Sequence, residues 1–180
     1  MAFKGEAARV FGCSLEAVLP AVKAHKIGWV VSAINEATML ETPAEIPSEQ
    51  HLKLALNDIV EAREGLVAPS GPHIERLIDF IERWDQSSPL LAHCWAGVSR
   101  STACVFIALC HLNPNVGEEK IAQALREASP TATPNFLLVS LADEFLKRDG
   151  RMKEAVRSIG RGEMAYEGAL FSLPAQLEGL

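Results

Sequence analysis

At 180 residues, 48% of them apolar and 22% charged, the chain has the composition of one globular domain with a sizeable core. A net charge of −6 excludes a general nucleic-acid or anionic-membrane surface, because both partners repel an acidic protein. No apolar run approaches the ~18 residues of a membrane span, and the N-terminal MAFKGEAARV lacks the apolar core of a signal peptide.

In chain order, residues 1–12 carry no clear pattern. Residues 15–26 follow Ser14 with Leu15, Val18, Leu19 and Val22 on one face, a short helix. Trp29, Val30 and Val31 fall together in 27–34 and predict a strand buried on both faces. Pro43 and Pro47 make 35–49 a connection. The segment HLKLAL at 51–56 alternates with period two, Leu52, Leu54 and Leu56 on one side, as a second strand does. Asn57-Asp58 ends that strand and a loop follows. Ser70 or Gly71 caps a helix over 72–84 with Pro72 in its first turn. Ile74, Leu77, Ile78, Ile81 and Trp84 form its core face, and Glu75, Arg76, Asp79, Glu82 and Arg83 its solvated one.

Residues 89–92 read as a short buried strand, and 100–112 as a helix apolar nearly all round. Further helices are expected over 117–128, 135–147 and 151–159; from Gly160 to Leu180 no period is visible, and that stretch is a tail or a packing arm. Strands alternating with helices predict a single α/β domain, a mostly parallel central sheet covered by helices. In such sheets ligands bind outside the carboxyl ends of the strands, where Asp58 and Cys94 both fall.

Chemistry concentrates in His93-Cys94-Trp95-Ala96-Gly97-Val98-Ser99-Arg100-Ser101, between the strand and the buried helix. A tight strand-to-helix loop turns several amide N–H groups toward one point, and the helix dipole adds partial positive charge. Gly97 removes a side chain where the backbone must come close to a ligand. Arg100 supplies a planar fork of donors matched to phosphate oxygens. The same field favours the thiolate of Cys94, which is the nucleophile. A nucleophile inside a phosphate cradle points to phosphoryl transfer, with a carboxylic acid standing over the loop to protonate the leaving oxygen. The remaining cysteines, 13, 104 and 110, give no C-x-x-C pair and no metal-finger spacing, so no metal and no cofactor are expected, and a cytoplasmic location keeps Cys94 reduced.

The loop HCWAGVSRS resembles the phosphate-binding loop of the cysteine-based protein phosphatases, His-Cys, five residues, Arg, then Ser or Thr. It is most similar to the dual-specificity branch, and weaker similarity runs from about Gly28 to about Leu146. The resemblance implies a cysteinyl-phosphate intermediate on Cys94. Its oxygens would be held by Arg100 and the amides of Trp95, Ala96, Gly97, Val98, Ser99 and Arg100. It assigns the general acid to Asp58, 36 residues before the cysteine, with Glu61 and Glu64 in reserve. Ser101 would ease departure of the sulfur in the second step. His93 would fix the loop and help lower the pKa of Cys94, and Asn135 would brace the loop. Trp95 either lines the pocket or packs.

Two departures bear on substrate. There is no Trp-Pro-Asp loop, and the only tyrosine, Tyr166, lies near the C-terminus, so no tyrosine precedes the acid and a shallower pocket is expected. Trp95, Ala96 and Val98 are not basic, unlike the loops of inositol-lipid phosphatases. The expected partner is a phosphorylated protein or a small phosphomonoester. A sulfurtransferase and a non-catalytic phosphate-binding module remain the competing functions; an oligomeric state is not indicated.

Overall fold

The structure, a computed structural model, describes residues 8–177. The start of the patternless 1–12 segment and the last three residues of the 160–180 tail lie outside them. In chain order the elements are β1 (Arg9–Ser14), α1 (Val18–His25), β2 (Trp29–Ile34), β3 (His51–Ala55), α2 (Gly71–Arg83), β4 (Leu90–Cys94), α3 (Arg100–Leu112), α4 (Glu118–Ala128), α5 (Phe136–Phe145), α6 (Arg151–Ile159) and β5 (Phe171–Pro174). The strands form one sheet in the order β3-β2-β4-β1-β5. The first four are parallel, and β5 runs antiparallel along β1. The expected α/β class and mostly parallel sheet are therefore present, with an antiparallel edge.

Helices cover both faces, which is why β2 is buried at every position. On one face Val18, Ala21 and Val22 of α1 pack against Phe11, Val30 and Leu91. On the other, α3 lies across the sheet centre and is buried continuously from Arg100 through Cys110. Its all-round apolar composition has this cause: α2, α4 and α5 pack on the sides that the sheet does not cover. Lys53, flanked by buried Leu52 and Leu54, faces solvent as the alternation requires. The first turn of α2 is closed by His73, whose Nδ1 accepts from the Ser70 amide at 3.1 Å, and Pro72 in that turn has no N–H to leave unpaired.

One sequence expectation fails at the N-terminal end, and the alternative left open at the C-terminal end is decided. Residues 9–14 are a central strand although they show no periodicity. A strand buried on five of its six residues needs no alternation, and Gly12 interrupts its apolar run. That glycine is required by packing, since a Cβ there would lie 2.4 Å from the Phe171 ring. The tail is a packing arm rather than a free end: it returns past the top of the sheet and adds β5 to its edge.

Candidate active site

The site forms where β4 ends and α3 begins. Cys94 closes the strand, 2% exposed, and Arg100 opens the helix, 6% exposed, so thiol and cation both lie beneath the surface. Between them, four amides from three segments hold the loop from outside. The Trp95 carbonyl accepts from the Leu15 amide at 3.1 Å, Ala96 from Gly168 at 2.8 Å, Val98 from Thr133 at 2.9 Å and Ser99 from Asn135 at 3.2 Å. With these carbonyls turned to the surrounding backbone, none of the N–H groups from Trp95 to Ser99 donates to a backbone acceptor among the described residues. A ring of free amides is what an oxyanion binds.

Gly97 has φ +73°, a left-handed conformation that glycine adopts without strain. The close approach it permits differs from the one expected. A Cβ would lie 2.6 Å from the Ser14 amide nitrogen, so Gly97 makes room for the end of β1, not for the ligand.

Beneath the loop, Cys94 Sγ and Ser101 Oγ are 3.3 Å apart. His93 is fully buried; its Nε2 lies 2.6 Å from Ser32 Oγ and its Nδ1 3.4 Å from the Cys94 carbonyl oxygen. Ser32 Oγ is also 2.7 Å from His51 Nε2. Burial holds both imidazoles far below their ordinary value, at about 4, so they are neutral at pH 7. His93 thus acts on the loop as a hydrogen-bonded dipole rather than as the positive charge that would favour a thiolate. Burial has the opposite effect on the neighbouring thiols: Cys13 and Cys104 are both pushed up to about 12, with the Cys94 charge adding to the shift, and Cys110 is raised as well.

Above the loop stands Asp58, exposed at the end of β3. Its Oδ1 accepts from Ser99 Oγ at 2.7 Å and from Asn135 Nδ2 at 2.8 Å. Both bonds fall on one oxygen, and Oδ2 has no hydrogen-bond partner among the described residues. Asn135 ties three segments at once: its Oδ1 caps α5 by accepting from the Leu138 amide at 3.0 Å, and its Nδ2 also reaches the Ile59 carbonyl. Arg100 Nη1 donates to the Leu56 carbonyl at 3.1 Å, while its Nε is buried without an acceptor. A buried donor left unpaired is costly, and an oxyanion in the loop is an acceptor of the kind it lacks.

Cys94, Trp95, Ala96, Val98, Ser99, Arg100 and Asp58 line a common cavity of about 510 Å³. Glu61 and Glu64 do not: both lie on an exposed loop away from it. The cavity has further walls that the sequence did not disclose. Asn35 and Thr133 contribute, and Arg161, Glu163, Met164 and Ala165 come from the tail. Asn35 stands just past the end of β2, the edge at which ligands of parallel sheets bind, and that rule could have found it. Nothing local marks the tail residues. Tyr166, near the C-terminus in sequence, is carried by the same return of the chain to Trp95.

No protein-family model matches the chain, and no curated protein matches it. Solved structures do. The fold is similar to that of DUSP15, with a TM-score of 0.62 at 20% identity over 83% of this chain and 89% of that one. It is similar to the Cydia pomonella PTP-2 phosphatase, with a TM-score of 0.57 at 20% identity over 75% and 84% of the two chains. For PTPMT1 in complex with PI(5)P the TM-score is 0.55 at 16% identity, over 82% and 90%. The fold is that of the dual-specificity and tyrosine phosphatases.

Proposed function

We propose that the chain is one phosphatase-like domain, a metal-independent phosphomonoester hydrolase of the tyrosine or dual-specificity type acting on a phosphorylated protein in the cytoplasm. Among the described residues no helix is long and apolar enough to cross a membrane. The observation that carries the function is the set of unpaired donors around one cysteine: the amides of Trp95 to Ser99 and the buried Arg100 Nε. Cys94 Sγ attacks phosphorus as the bond to the leaving oxygen breaks, and Asp58 gives that oxygen its proton. The loop amides and Arg100 hold the three equatorial oxygens, where transition-state charge spreads. Asp58 then takes a proton from the water that attacks phosphorus, the S–P bond breaks, and the Ser101 hydroxyl donates to the departing sulfur.

The cavity position of Asp58 favours this reading over a sulfurtransferase, because persulfide transfer needs no acid for a leaving group. The side chains of Trp95, Ala96 and Val98 bring no positive charge, which favours a protein phosphate over an inositol phosphate. The test is hydrolysis of p-nitrophenyl phosphate with and without chelator, in wild type and in Cys94→Ser. Wild-type turnover insensitive to chelator is expected, with turnover abolished in the variant while vanadate still binds. Appreciable turnover by pure Cys94→Ser protein would overturn covalent catalysis at this position.

A further inference from the structure

A second, smaller cavity of about 90 Å³ opens beside the first and shares Trp95 and Ala96 with it; its other walls are Leu15, Glu16, Tyr166 and Glu167. Three segments far apart in sequence meet there, namely the turn between β1 and α1, the phosphate loop and the tail. Each junction is hydrogen-bonded, through the Leu15 amide to the Trp95 carbonyl, the Gly168 amide to the Ala96 carbonyl, and Ser14 Oγ to the Glu167 carboxylate. Gly168 packs so closely on the loop that a Cβ would lie 2.9 Å from the Gly97 oxygen, so the tail is seated rather than draped.

The chemistry of this cavity is of one kind. Trp95 is 53% and Tyr166 93% exposed, so two aromatic rings are open to a ligand. Glu16 and Glu167 are exposed and neither meets a cation among the described residues. Aromatic faces and carboxylates both attract positive charge, and carboxylates repel a phosphate dianion. Glu16 and Glu167 line the side cavity without a cation, so a ligand whose phosphate fills the main cavity gains there if it carries a positive group beside the phosphate. The volume equals roughly three liquid waters, room for an ammonium or guanidinium head group and too little for a second phosphorylated side chain.

We propose that the side cavity binds the lysine or arginine head group of a phosphopeptide whose phosphorylated residue fills the main cavity. The proposal rests on the phosphatase reading above and names the substrate class for it: phosphosites with a basic residue close by in the sequence. Glu16 and Glu167 supply the charge, and Trp95 and Tyr166 the ring faces.

The test uses the Cys94→Ser chain and calorimetry on phosphotyrosine peptides in which a single lysine is moved from three residues before the phosphosite to three after it, in an otherwise alanine context. At one or two offsets lysine is expected to tighten binding roughly five- to tenfold over alanine, with the gain shrinking at high salt. Adding Glu16→Gln or Tyr166→Leu should bring the lysine-to-alanine ratio close to one. Glu16→Lys should reverse it in favour of glutamate peptides, whereas the distant Glu75→Gln should leave the ratio as it was. A ratio of one at every offset, or one that survives Glu16→Gln, overturns the side-cavity proposal while the phosphatase reading stands. Failure of every peptide to bind, together with no wild-type turnover of them, overturns both.

Discussion

The loop from Cys94 to Ser101 and the segment that carries Asp58 meet across one cavity, yet they are built in opposite ways. The loop is rooted in the core: Cys94 and Arg100 are buried, α3 behind them is buried for three turns, and three backbone segments hold its carbonyls. The acid segment leaves the sheet after Leu56 and is exposed at every residue from Val60 to Val67. It is closed at its neck, where the Asn57 amide donates to the Val67 carbonyl at 2.7 Å and the Val67 amide to Asn57 Oδ1 at 2.9 Å. Asp58 sits at that neck and reaches the loop only through Ser99 and Asn135. Cys94 is thus positioned by the packing of the core, while Asp58 is positioned by a few hydrogen bonds on a segment with little buried surface. Segments of the second kind open at low free energy, which suits a group that must admit substrate and release product.

The largest test of this division removes the acid and keeps the loop. Asp58→Asn should slow hydrolysis of an alkyl phosphate, whose leaving oxygen is strongly basic, by ~10²–10⁴. The loss on an activated aryl ester should be smaller, because a low-pKa phenol needs less protonation. The alkaline limb of the kcat–pH profile should flatten as well, since the group that must stay protonated has gone. Equal losses on both esters with the alkaline limb unchanged would remove the acid role from this neck.

A smaller effect sharpens the same contrast by leaving Asp58 in place and loosening it. Asn135→Ala removes the donor to Asp58 and the cap of α5 together, so it should lower kcat about tenfold on basic leaving groups and cost about 1 kcal/mol of stability. Asn135→Ser restores a capping oxygen without a donor that reaches Asp58. It should recover the stability, read by urea denaturation, and leave kcat low. Recovery of both would mean that Asn135 acts through the helix alone.

A third test concerns stability and the floor of the loop, not catalysis. His51 and His93 share Ser32 and stay neutral in the folded chain to about pH 4, whereas an unfolded chain protonates them near their ordinary value of 6.5. The unfolded state therefore binds more protons between those limits. Their contribution to stability is fully present above pH 6.5 and is lost as the pH falls toward 4. The Tm should be level from pH 7 to 8 and fall measurably by pH 5, with faster hydrogen exchange in residues 90–101 and little change in the already exposed 60–67. A Tm unchanged down to pH 4.5 would show that burial does not hold these imidazoles neutral.

Much of the core side of the comparison is legible in the chain itself. Alternation in HLKLAL, the apolar stripe of α2 and the uninterrupted apolar run of α3 each state which faces are buried, because side-chain period follows backbone geometry. The boundaries expected for α3 and for the 151–159 helix are the observed ones. The cysteine, the arginine and the serines of the loop lie within eight residues, so a single turn of backbone brings them together. Asp58 was within reach because strand ends share one edge of a parallel sheet. β1 was not, since a fully buried central strand has no period to betray it, and the two expected reserves, Glu61 and Glu64, are distinguished from Asp58 only by where the exposed loop points them.

The sequence by itself determined the α/β class, the order of most elements and the gathering of Cys94, Ser99, Arg100 and Ser101 in one loop, all of which depend on residues close together in the chain. Only the tertiary structure decided what surrounds the loop: that His93 is neutral because it is itself fully buried, that Gly97 yields to the end of β1, and that residues 161–167 stand over the loop. The tail reaches the site because β5 pairs antiparallel with β1 and Gly168 seats on Ala96, contacts between residues more than seventy positions apart. Such contacts leave no periodicity in either segment, since each is shaped by the surface of the other.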